Sequence, residues 1–183
     1  MIVLALDLAT NSGYAIGDHL DTGVAPIVGC HRLPKTGRDY GQFGEAFERW
    51  LRSLIEKHSV EFIVYETPIL PAQTQIETLR KLYNLGTIAE MVARDLEIII
   101  EETDMQTVRK HFIGVTRAPK DVPQPKRRAW IKQRIMEKCR EFGWNPLNDD
   151  EGDALATLHY ARIVMNKDYA AATAGPLLTG GAA

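Results

Sequence analysis

The chain has 183 residues, 45% hydrophobic and 25% charged, a balance that fits one globular domain with a sizeable core. No apolar run is long enough to span a bilayer, and Met1 leads into a strand pattern rather than a basic and apolar targeting segment, so a cytoplasmic protein with no membrane partner is expected. The two cysteines, Cys30 and Cys139, lie in unrelated segments without metal-type spacing, and the five histidines show no ligand spacing either, which argues against a disulfide scaffold or a zinc site.

The net charge of −2 hides a dipolar chain: residues 106–140 carry eleven basic and two acidic residues, and the remainder is strongly acidic. A basic stripe of this kind can bind phosphates while the rest of the surface stays acidic.

Residues 2–7 and 13–17 read as strands joined by the turn-rich Ala9-Thr10-Asn11-Ser12, and a third strand covers about 24–33. From 39 to 58, Phe43, Phe47, Trp50, Leu51, Leu54 and Ile55 recur at three- and four-residue intervals and predict an amphipathic helix. Residues 62–66 form a buried strand, 73–94 a helix, and Ile98-Ile99-Ile100 within 97–101 a further central strand. Thr103 is placed to cap a short helix to about 112, and 114–124 reads as a mobile basic loop. Pro125 suits the first turn of a helix over 125–142, and 149–164 makes the last helix. The expected fold is α/β, with a mixed sheet whose first three strands are antiparallel and helices on both faces. The domain is expected over 1–169, with the Ala- and Gly-rich 170–183 a disordered tail.

Acidic residues stand at three of these junctions. Asp7 ends the first strand, Glu66 ends the strand Phe62-Ile63-Val64-Tyr65, and Asp150 and Asp153 open the last helix three residues apart, on one face. A carboxylate closing a buried strand is costly to desolvate unless a positive charge meets it. Like charges about 4 Å apart repel by roughly 4 kcal/mol at an effective dielectric near 20, which a divalent cation offsets. Oxygen donors without histidine or cysteine suit Mg2+. Asp149, next to Asp150, is an alternative ligand.

The order of these elements, Asp at the end of the first strand, Gly13-Tyr14-Ala15 on the second, Glu at the end of the fourth and Asp-x-x-Asp-Ala-Leu-Ala opening the last helix, resembles the RuvC-type Holliday junction resolvases of the RNase H-like superfamily, over about 1–165. The resemblance implies that Asp7, Glu66, Asp150 and Asp153 hold two Mg2+ ions, for which Mn2+ can substitute, and that the protein cuts phosphodiesters of branched DNA, four-way junctions foremost, by in-line displacement to leave 5′-phosphate nicks. It further implies that a basic loop before the last helices holds the junction and aids catalysis, with Lys120 the residue to test for that role. It also implies a homodimer paired through the 73–94 helix, where the small residues Gly86 and Ala89 permit close approach.

Arg117 and Lys120 on the Pro-punctuated loop, and Lys126, Arg127 and Arg128 at a helix start where positive charge opposes the helix dipole, are the expected phosphate contacts. Trp130 is expected in the core with Ile131 and Ile135. The chain departs from the resemblance in being less basic than a resolvase and in carrying aliphatic Ile69-Leu70 after Glu66, where an aromatic wedge is expected. Competing readings are an RNase H-like nuclease on other branched DNA or RNA–DNA hybrids, an actin or sugar-kinase type ATP-binding protein, and a catalytically silent binding module.

Overall fold

A computed structural model describes residues 1–20, 23–67 and 73–165. The expected tail over 170–183 and the Ile69-Leu70 departure lie outside these described residues. Five strands, β1 (Ile2–Asp7), β2 (Asn11–Asp18), β3 (Ile27–Arg32), β4 (Phe62–Glu66) and β5 (Ile99–Thr103), form one sheet in the order β3-β2-β1-β4-β5. The first three run antiparallel, and β1, β4 and β5 run parallel, as the mixed-sheet reading expects.

Side-chain alternation decides what each face receives. Leu4 and Leu6 of β1, with Ile63 and Tyr65 of β4, face α1 (Tyr40–His58) and α2 (Ile76–Asp95), where Phe43, Phe47, Leu51, Leu85 and Val92 are buried. Val3, Ala5, Phe62 and Val64 face the opposite layer, made of α3 (Met105–Ile113), α4 (Arg127–Glu141) and α5 (Asp149–Met165). The helix α5 is buried along most of its length, and Ala154, Ala156 and Ala161 let it lie close to the sheet. Trp130 is half-buried against this second core, as expected.

Several local expectations change. The strand over 97–101 begins at Ile99 and is an edge strand rather than a central one: among the described residues β5 pairs only with β4, and Ile99 is 60% exposed. Asp104, not Thr103, caps α3, its carboxylate accepting from Gln106 N and Thr107 N at 2.9 Å each. Pro125 sits in a single 3-10 turn (Gln124–Lys126) before α4 begins at Arg127. Gly86 and Ala89 are buried against the protein's own sheet, and a Cβ at Gly86 would touch the Tyr65 ring at 3.4 Å. Their small size therefore serves packing against the protein's own sheet. Among the described residues there is one sheet and no second nucleotide-clasping lobe, and no helix is long and apolar enough to cross a membrane.

Candidate active site

Alternation along the strands also aims the acids. Asp7 falls on the same face as Val3 and Ala5, and Glu66 on the same face as Phe62 and Val64, so both carboxylates point toward the layer that contains α5. β1 and β4 are parallel neighbours with Leu6 beside Tyr65, which brings the two acids together at the carboxyl ends of the strands. Ligands of open α/β sheets bind at these ends.

The start of α5 delivers the other two acids. Asn148 Oδ1 accepts from Glu151 N at 3.0 Å, while the buried Glu151 carboxylate accepts from Leu147 N at 2.6 Å and from Asn148 Nδ2 at 3.3 Å. This reciprocal cap fixes the first helical turn. β2 meets that turn at Gly13, where a Cβ would collide with the backbone carbonyl of Asp150. Only glycine admits so close an approach.

Asp7, Glu66, Asp150 and Asp153 line a single cleft of about 960 Å³. Burial first, then the charges of Asp153 and Asp150, raises Asp7 to about 7; Lys132 and Arg109 pull it back. Glu66 rises to about 8 through burial and then Asp7 and Asp153, opposed by the Thr157 hydroxyl, which donates to Glu66 Oε1 at 2.8 Å, and by Arg109. Asp153 is also raised by burial, with Arg109 and Lys132 opposing. Asn11 Nδ2 donates to Asp150 Oδ2, while Lys132 pairs with Asp149. Asp149 is thus engaged by α4 and does not line the cleft, which favours Asp150 as the fourth acid.

Among the described residues no three His, Cys, Asp or Glu side chains stand in a finished metal-holding arrangement. The donor set nevertheless fits a divalent cation. Four carboxylates share one cleft, three have raised pKa values, and the cations Arg109 and Lys132 offset only part of their charge. A cation among these acids would supply the missing positive charge.

The basic residues divide into distinct roles. Arg117, Lys120, Arg127 and Arg128 line the same cleft, whereas Lys126 does not. Arg127 donates from Nε to Val122 O at 3.0 Å and from a terminal nitrogen to Lys120 O at 3.4 Å. With Val122 N bonded to Pro119 O at 3.2 Å, it ties down the loop expected to be mobile. Sequence reasoning missed Arg109, Lys132, Asn11 and Thr157 as members of the site. Arg109 reaches the cleft from α3, and its Nε is buried without a hydrogen-bond partner among the described residues. Its signal in sequence was its place on the helix that follows a strand ending beside Glu66.

A five-stranded mixed sheet carrying acids at the ends of adjacent β1 and β4 and at the start of the last helix is the layout of an α/β RNase H-like fold. No protein-family model and no curated protein matches the sequence, but solved structures do. RuvC of Thermus thermophilus superimposes with a TM-score of 0.67 at 14% identity, over 90% of this chain and 96% of its own. The same protein in complex with a Holliday junction substrate gives 0.66 at 11% identity, over 91% and 97%. The yeast mitochondrial Holliday junction resolvase Ydc2 gives 0.61 at 14% identity, over 93% and 83%. The chain has the fold of these resolvases, and at such identities the chemistry must be argued from its own side chains.

Proposed function

We propose that this protein is a metal-dependent endonuclease that resolves four-way DNA junctions. The observation that carries the reading is the convergence of Asp7, Glu66, Asp150 and Asp153 in one cleft whose rim is formed by Arg117, Lys120 and Arg128. Acids alone would repel a phosphodiester, and bases alone would bind it without cutting. Together they hold a polyanion over a centre able to bind cations.

Asp7, Glu66, Asp150 and Asp153 would hold the ions, two Mg2+ or Mn2+. When bound, such a pair activates a water and stabilises the leaving oxygen of an in-line displacement, leaving 5′-phosphate ends. Thr157 fixes the orientation of Glu66 and Asn11 that of Asp150 through their hydrogen bonds. Arg109 lines the cleft, faces the acids and moderates their mutual repulsion. Lys120 and Arg117 are exposed on the rim, where they orient the strand, and Arg127 keeps that rim in place.

Resolution requires two symmetric cuts, which supports a homodimer. The outward face of α2 offers Ile76, Tyr83 and Met91, which are 64%, 54% and 57% exposed. This face, rather than Gly86 and Ala89, is the proposed contact.

The test compares wild type with Asp7→Asn and Asp153→Asn for gel-shift affinity and magnesium-dependent nicking of a labelled four-way junction. Loss of cutting with binding retained or strengthened supports the reading, because each change removes a cation ligand and a charge that repels phosphate. Wild-type cutting by either variant contradicts it.

A further inference from the structure

A second cavity, of about 500 Å³, lies beside the acid cleft and has the opposite electrostatic character. Its lining includes the cations Arg32, Lys35 and Lys81 and no carboxylate. Local structure brings the three together. Arg32 ends β3, and the buried Leu33 donates its backbone N–H to Thr10 O at 2.9 Å, holding the 33–38 segment against the β1–β2 turn. Lys81 arrives from α2, with its Nζ 4.9 Å from the centre of the Phe43 ring that floors the cavity.

The neighbouring acids are already engaged. Asp39 caps α1 by accepting from Gln42 N at 2.8 Å, and Glu77 pairs with Arg38 at 3.1 Å. Among the described residues neither Arg32, Lys35 nor Lys81 takes part in an ion pair. Three converging cations left without carboxylate partners form a site for an oxyanion.

The β1–β2 turn separates the two cavities. Ala9 lines the acid cleft, Thr10 and Asn11 line the cationic cavity, and Asn11 also holds Asp150. A polyanion seated over the acids therefore meets this cavity on crossing the turn, and none of Arg117, Lys120, Arg127 or Arg128 lines it. We propose that the Arg32–Lys35–Lys81 cavity is a second phosphate subsite, which grips the nucleic-acid backbone away from the bond that is cut. This inference rests on the nuclease reading, and the occupant it commits to is a backbone phosphate rather than free inorganic phosphate.

The experiment measures junction affinity against salt for wild type and for an Arg32→Ala, Lys35→Ala, Lys81→Met variant. Methionine at 81 keeps an apolar stem over Phe43, and circular dichroism and melting temperature check the fold. The slope of log affinity against log salt should become shallower by about 0.9 for each duplex phosphate that the variant no longer neutralises. Junctions with single neutral methylphosphonates, scanned outward from the cut, should reveal a position that weakens wild-type binding and leaves the variant unaffected. Inorganic phosphate is titrated against both proteins by calorimetry.

Wild type that binds and nicks junctions while the variant keeps the full slope and every methylphosphonate effect overturns the subsite alone. So does a cavity that saturates with inorganic phosphate while the DNA measurements stay unchanged. Wild type that neither binds nor nicks DNA overturns the nuclease reading, and the subsite with it.

Discussion

Thr157 and Asn11 each hold one acid of the cleft by a single hydrogen bond, to Glu66 and Asp150 respectively. Groups that orient metal ligands typically contribute 10- to 100-fold to affinity or activity. Thr157→Val, which keeps the shape and removes the hydroxyl, should therefore lower magnesium-dependent nicking by about 10- to 100-fold while the circular dichroism spectrum is preserved. A change of less than about twofold would show that Glu66 is oriented by packing alone.

The raised carboxyls give a second expectation. Asp7 and Glu66 keep their protons to about 7 and about 8 in the folded protein, above the ordinary carboxylate range they have when unfolded. The folded state then binds more protons, so their contribution to stability is complete below that range and is lost as pH rises through about 7 and about 8. Without divalent ions the melting temperature should fall across this window, and Glu66→Gln should flatten the fall. Magnesium should raise the melting temperature most at the high-pH end, where the acids are ionised and ready to bind it. A wild-type profile that Glu66→Gln leaves unaltered would contradict this. At this scale the four acids were legible because strand ends and an i, i+3 pair show in sequence. Thr157 and Asn11 were not, since their partners lie 91 and 139 residues away.

Among the elements, the boundaries of α1 followed from apolar periodicity and those of β1 and β4 from short unbroken apolar runs, both of which report burial, while α5 followed from its Asp-x-x-Asp start and the Ala- and Leu-rich run after it. The run Ile98-Ile99-Ile100 misled because three β-branched residues suit a central or an edge strand equally, and only the pairing of β5 with β4 alone decides. The cap formed by Asn148 and Glu151 carries an N-x-x-E signature that stands in the sequence beside the more conspicuous acids. The basic segment was legible as a charge run, but its division of labour was not. Arg127 spends its guanidinium on the backbone of the 120–122 loop, and Lys126 lies outside the cleft. Arg128→Ala should therefore weaken junction binding by one phosphate contact, a salt slope shallower by about 0.9, with little effect on folding. Arg127→Ala should in addition make the loop more susceptible to protease at Arg117 and Lys120. Equal protease resistance of wild type and Arg127→Ala would remove the staple. Gly13→Ala tests the other side of the site. A methyl group there must push α5 off β2, so cutting should fall with binding largely retained.

The molecule as a whole is two apolar layers on one sheet, with the acids at the sheet's carboxyl edge and an apolar stripe left on the outside of α2. That stripe moves the dimer test from Gly86, whose replacement by a bulky residue would strike Tyr65, to the exposed Tyr83 and Met91. Tyr83→Glu with Met91→Glu should sediment as a monomer, keep its fold and lose paired incision while retaining single metal-dependent nicks. A dimer that survives both charges would place the contact on another face. The central claim, that the acid cleft and its basic rim make a junction-resolving nuclease, is tested most directly by incubating the protein with end-labelled four-way junction, duplex, fork and RNA–DNA hybrid, with magnesium and with chelator. Twofold-related nicks in the junction that need magnesium and end in 5′-phosphate are the predicted result, and magnesium-dependent cutting of the hybrid with the junction left intact, or no cutting of any substrate, would contradict it.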